Sequence, residues 1–123
     1  VTGVQTCALP IYWNTPYRLE AIVALQEYLE TTMKLSTYQK IHQPALMLYY
    51  YKNEAEQDKV VKVSAMLKMF NALQTPVNDK KAIAVPTAGD HVIAGSIKSK
   101  DVITVENEIV LFMNTILHMP EKK

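Results

Sequence analysis

Two short polar stretches hold the residues of this 123-residue sequence whose types and spacing could do chemistry. Lys52 to Lys59 carries Glu54, Glu56 and Asp58, and Thr87 to Lys100 carries Asp90 and His91. Each stretch follows a short apolar run. In open parallel sheets, function gathers in the loops leaving the carboxyl ends of the strands. An acid after one strand and a histidine after the next supply half of a nucleophile–histidine–acid triad. The carboxylate would fix the imidazole tautomer and stabilise imidazolium, while the histidine would shuttle a proton to and from a hydroxyl nucleophile. Asp90 beside His91 also suggests a metal pair. With one cysteine and three histidines in the whole chain, no ligand set supports it, so neither a metal nor a cofactor is expected.

The elements that must position these residues are legible as periodic patterns. Thr15-Pro16 reads as an N-cap and first helical residue. Leu19, Ile22, Val23, Leu25, Leu29 and Met33 then share one broad face, opposite Glu20, Glu27 and Lys34, which predicts an amphipathic helix ending near Lys34. Pro44 to Tyr51 is a continuous apolar run without alternation, the pattern of a strand buried on both faces in a parallel sheet. A second helix is expected from Val60, with Val60, Val63, Met66, Leu67, Phe70 and Leu73 on one face, ending before the Thr75-Pro76 and Asn78-Asp79 turn signals. Lys81 to Pro86 reads as a second strand. Asp101 is a natural N-cap for a last helix with Val102, Val105, Ile109, Phe112, Met113 and Ile116 on its buried face.

Strand, helix, strand, helix is the unit of a doubly wound α/β sheet. Two strands alone cannot complete such a sheet, so the pattern reads as the last two parallel strands of a larger domain, with three flanking helices. An apolar fraction of 49% and a charged fraction of 20% exclude wholesale disorder. The net charge of +1 gives no electrostatic case for nucleic acid. No apolar run approaches the roughly 20 residues of a membrane helix.

Three local strings then carry a resemblance. HQPALMLYYY, EQDKVV and VPTAGDHVI resemble, in that order, the strand entering the acid loop, the triad acid with its following β-branched residues, and the histidine loop of an α/β-hydrolase. The segment from about Ile41 to Leu117 therefore resembles the C-terminal end of that fold, whose acid precedes its histidine in chain order. The resemblance implies Asp58 as triad acid, His91 as triad base, and an ester or related acyl substrate. Unlike the family, this sequence has no G-x-S-x-G elbow and no glycine-rich oxyanion loop; its glycines are Gly3, Gly89 and Gly95. Ser36, Ser64, Ser96 and Ser99 lack elbow spacing, so no nucleophile is expected within the chain.

Each candidate also has a plainer reading. Asp58 suits a loop acid or the N-cap of the helix after it, and His91 an ordinary loop histidine. Glu54 and Glu56 are rival acids without the D-K-V-V context and read as surface residues. His42 and His118 read as structural or solvent-facing. Tyr49, Tyr50 and Tyr51 suit a buried strand better than a stacking platform, and Met47, Met66, Met69 and Met113 suit core positions. Trp13 and Tyr17 would suit a cap or pocket wall.

Residues 1–11, VTGVQTCALPI, carry no charge and no periodicity, and the string resembles an in-frame translation of a sequencing-library adaptor. Its spare T would open a Tyr codon, and residue 12 is Tyr. The segment is set aside as one would an expression scar, which leaves residues 12–123 as the C-terminal part of one hydrolase-like domain. The expectation is a serine-hydrolase fragment, inactive alone, with exposed edges and faces that favour aggregation. Two other classes compete: a non-catalytic α/β-hydrolase-fold protein binding a ligand or partner, and an unrelated small α/β module complete as it stands.

Overall fold

A computed structural model describes residues 16–119. The segment read as adaptor-encoded, Trp13 and the proposed Thr15 cap lie outside the described residues. The first helix, α1 (Leu19–Thr32), begins later than Pro16, with Arg18 extended at its N-cap. A one-turn helix absent from the sequence reading follows, α2 (Leu35–Tyr38). The chain then runs through β1 (Ala45–Tyr49), α3 (Val63–Ala72), a 3-10 turn (Val77–Asp79), β2 (Lys80–Ala84) and α4 (Val102–Thr115).

The two strands form one parallel sheet, registered Ala45 to Lys80 through Tyr49 to Ala84, and α3 lies in the connection between them. This is a small α/β arrangement. The backbone pairing continues beyond β2, where the Val85 amide donates to the Tyr49 carbonyl at 2.8 Å. Complete burial of β1 on both faces does not hold: all its residues are half-buried, since β2 is its one neighbour among the described residues. The fully protected centre lies just past the strand ends, where Tyr50, Val85, Ala88 and Val105 cluster, with Leu48 and Ile93 packed on them. Val85 has no exposed surface. Burial of a valine contributes about 1.5–3 kcal/mol, so this cluster fixes where both strands exit and where α4 docks.

Helix α3 presents Val63 and Phe70 to the interior and packs against α2. Its carboxyl end is tied to the sheet by Lys80, whose Nζ donates to the Leu73 carbonyl at 2.9 Å and lies 5.5 Å from the Phe70 ring centre. A cation there satisfies a terminal carbonyl and meets the negative end of the helix dipole. Thr75 provides a second tie, its buried hydroxyl donating to the Gln43 carbonyl at 2.6 Å just ahead of β1. In α4, Val105 and Phe112 are buried, whereas Ile109, expected on that face, is exposed. Helix α1 contrasts with both. Leu19, Ile22, Val23, Leu25, Leu29 and Met33 all remain exposed, so its apolar face is not covered by the described residues.

Candidate active site

The acid loop starts with a fold-back. Past β1, Tyr51 and Gln57 form an antiparallel bridge, and the Lys52 amide donates to the Glu56 carbonyl at 2.9 Å. Asn53 stitches the turn, its Oδ1 accepting from the Ala55 and Glu56 amides at 3.0 and 2.9 Å. The chain thereby returns to the strand end, and the Asp58 amide donates to the Tyr50 carbonyl at 3.0 Å. The helix expected from Val60 starts instead at Val63, with Lys62 as N-cap. Ahead of it, Asp58 Oδ1 accepts from the Val60 and Val61 amides at 2.8 and 2.9 Å, the i+2 and i+3 pattern of an N-cap, although no helix follows until Val63.

The histidine loop leaves β2 through Val85 and the fully buried Ala88. Gly89 follows with φ +72°, the left-handed conformation that glycine adopts without a Cβ clash. That reversal precedes Asp90, whose Oδ1 accepts from the Val92 amide at 3.0 Å. The loop closes where the Lys100 amide donates to the Ala88 carbonyl at 3.0 Å. Asp101 then caps α4 by accepting from the Thr104 amide at 3.0 Å, as its sequence context suggests.

These two constructions bring Asp58 and His91 together. His91 Nδ1 and Asp58 Oδ2 lie 2.6 Å apart. The aspartate side chain is 3% exposed and the imidazole 37% exposed, so the pair has a sheltered acid and a solvent-facing base. Asp58 thus receives three hydrogen bonds over its two oxygens. Burial pushes its pKa up, but His91 and the Val61 and Val60 amides outweigh it, holding the carboxyl below the usual aspartate value. The carboxylate is the stable form, and with the ring neutral it places the imidazole proton on Nδ1. Nε2 then carries a lone pair.

The rival acids are occupied within the fold-back. Glu56 forms a 2.7 Å ion pair with Lys52, and Glu54 accepts from the Tyr51 hydroxyl at 3.0 Å. Asp90 stays with its own loop, and no cluster of three metal-ligating side chains occurs among the described residues. His42 and His118 are exposed and lie outside the pair. A cleft of about 440 Å³ opens beside His91, lined also by Tyr50, Gln57, Val60, Gly89 and Lys100. A larger one, about 680 Å³, takes in Asp58 with Tyr49, Tyr51 and Leu67 but not His91. Ser64 lines the larger cleft and not the one at His91. The imidazole opens on the smaller cleft. No helix among the described residues is long and apolar enough to cross a membrane.

Thr87 carries no sequence signal of a role, yet its hydroxyl donates to Asp101 Oδ2, joining the root of the histidine loop to the cap of α4. Nothing in the spacing of these residues signals that contact, because it depends on where α4 docks. No protein-family model, curated protein or solved structure matches the chain.

Proposed function

We propose that this chain is the acid- and histidine-bearing part of an α/β-hydrolase-type serine hydrolase acting on an ester or related acyl substrate. The observation that carries the reading is the 2.6 Å contact from His91 Nδ1 to a buried carboxylate held by two backbone amides. In this reading Asp58 stays ionised and orients the ring. His91 Nε2 takes the proton of a serine hydroxyl as that oxygen attacks the acyl carbon, then delivers it to the leaving group. Asp58 stabilises the intervening imidazolium without accepting its proton. The order of acid before histidine, with α3 and β2 between them, supports the same assignment.

The serine and the oxyanion donors belong, in this proposal, to polypeptide outside these 123 residues, since the sequence has no nucleophile elbow. The test is the reading frame upstream of Tyr12 in the source gene, followed by fluorophosphonate labelling of the full product. The expected result is a G-x-S-x-G serine that labels covalently, with ester turnover lost in His91→Gln. A frame without an elbow, or one with the serine replaced, would overturn the hydrolase reading.

A further inference from the structure

We infer that Thr87 is a positioning residue for His91, acting by clamping the histidine loop to the N-cap of α4. The inference rests on the reading of Asp58 and His91 as a catalytic pair. Asp101 uses its two carboxylate oxygens for different tasks: Oδ1 accepts from the Thr104 amide at 3.0 Å and caps the helix, while Oδ2 accepts from the Thr87 hydroxyl. The same junction holds two further bonds. The Lys100 amide donates to the Ala88 carbonyl at 3.0 Å, and the Asp101 amide donates to the Ser99 hydroxyl at 3.2 Å. Between these ends the loop carries His91, exposed and fixed to the acid by its ring.

The direction of the coupling follows from what is buried. Val85 and Ala88 are fully buried against Tyr50 and Val105, so the root of the loop and the start of α4 form one packed unit. Thr87 itself is exposed, and its hydroxyl bond is what links the two chain segments through side chains at this level. Without it, the exposed turn at Pro86 and Thr87 gains freedom on one side of the buried Ala88, and Gly89, where the backbone has least intrinsic restraint, lies on the other. A base must hold its geometry closely to act, so added freedom at its root reads out at the ring. The Asp101 carboxyl lies below its ordinary pKa, with the Thr87 hydroxyl as first cause and the Thr104 amide next, consistent with an ionised acceptor.

The experiment uses the full chain and the low-field proton NMR signal of the His91 Nδ1–H, with amide exchange at Thr104 read in parallel. Thr87→Val keeps the shape and the helix cap but removes the donor; the expected result is loss of the low-field signal, with Thr104 exchange unchanged. Thr87→Ser should restore the signal, and Asp101→Ala should lose it and speed Thr104 exchange as well. An undiminished signal in Thr87→Val would overturn the clamp, as would its absence from the unsubstituted chain. The hydrolase reading fails separately, on the upstream elbow, because the signal reports geometry whether or not a serine exists.

Discussion

The Asp58 amide donates to the Tyr50 carbonyl at 3.0 Å, although the polypeptide between them runs through a complete fold-back. This bond returns the acid to the end of β1 and puts it level with the loop leaving β2. The parallel register does the rest, since Val85 is bound to Tyr49 and the histidine loop starts one strand over. The acid–histidine contact is thus a consequence of strand order and of one stitched turn.

Removing the Asp58 charge should cost stability in proportion to the bonds it leaves unmade. Asp58→Ala strands two amides and the imidazole, and a decrease of about 2–4 kcal/mol is expected from lost charge-assisted hydrogen bonds. Asp58→Asn retains an acceptor for Val60 and Val61 and should cost less. Urea unfolding of both variants gives the comparison.

Acid should destabilise the fold through the same carboxylate. The folded pKa of Asp58 is lowered, so its contribution is present above the unfolded aspartate value, about 3.9, and is lost as pH falls through the folded value. Glu56 is lowered by Lys52 and Asn53, and Asp101 by Thr87 and Thr104, so they act in the same direction. Unfolding free energies at pH 6 and pH 2.5 should therefore differ by less in Asp58→Asn than in the unsubstituted chain.

Gly89 should resist substitution for backbone reasons. At φ +72° an alanine costs roughly 1–2 kcal/mol, and its Cβ would sit 3.4 Å from Lys100 Cδ, a flexible neighbour that can yield. Gly89→Ala is expected to lower the unfolding midpoint, and Gly89→Asn, which tolerates this conformation better, to lower it less.

Lys80 offers a test of how the helix is tied to the sheet. Lys80→Met keeps the stem but removes the donor to Leu73 and the charge near Phe70. A loss of about 1 kcal/mol is expected, together with faster amide exchange in the last turn of α3.

The apolar face of α1 predicts concentration-dependent association. Val23 and Leu25 are 58% and 57% exposed, so replacing both with lysine should change stability by no more than about 1 kcal/mol. Sedimentation of the chain should show self-association that the double substitution suppresses.

What the sequence disclosed, and what it did not, divides along the range of the interactions. Strands and helices came in the expected order because apolar runs and helical spacing are local signals, and the Asp101 cap is a contact three residues long. The start of α3 lies three residues later than expected, although Asp58 makes the cap-type bonds to the Val60 and Val61 amides that its sequence context suggests. The face of α1 is apolar as its spacing predicts and stays exposed, since amphipathicity states what a helix can cover, not whether anything covers it. Loops after successive strands single out the acid cluster and His91, and the resemblance of D-K-V-V to a hydrolase acid loop singles out Asp58 from Glu54 and Glu56. The Lys80 cap and the Thr87 clamp join residues whose proximity only packing decides.

In the proposed function, Asp58 holds His91 as a base with Nε2 free to take a proton. Nitrogen-15 NMR of histidine-labelled chain, recorded with the rings neutral, tests it directly. His91 is expected to be protonated at Nδ1 and bare at Nε2, with Asp58→Asn shifting this balance toward Nε2–H. A neutral His91 carrying its proton on Nε2 in the unsubstituted chain would contradict the account.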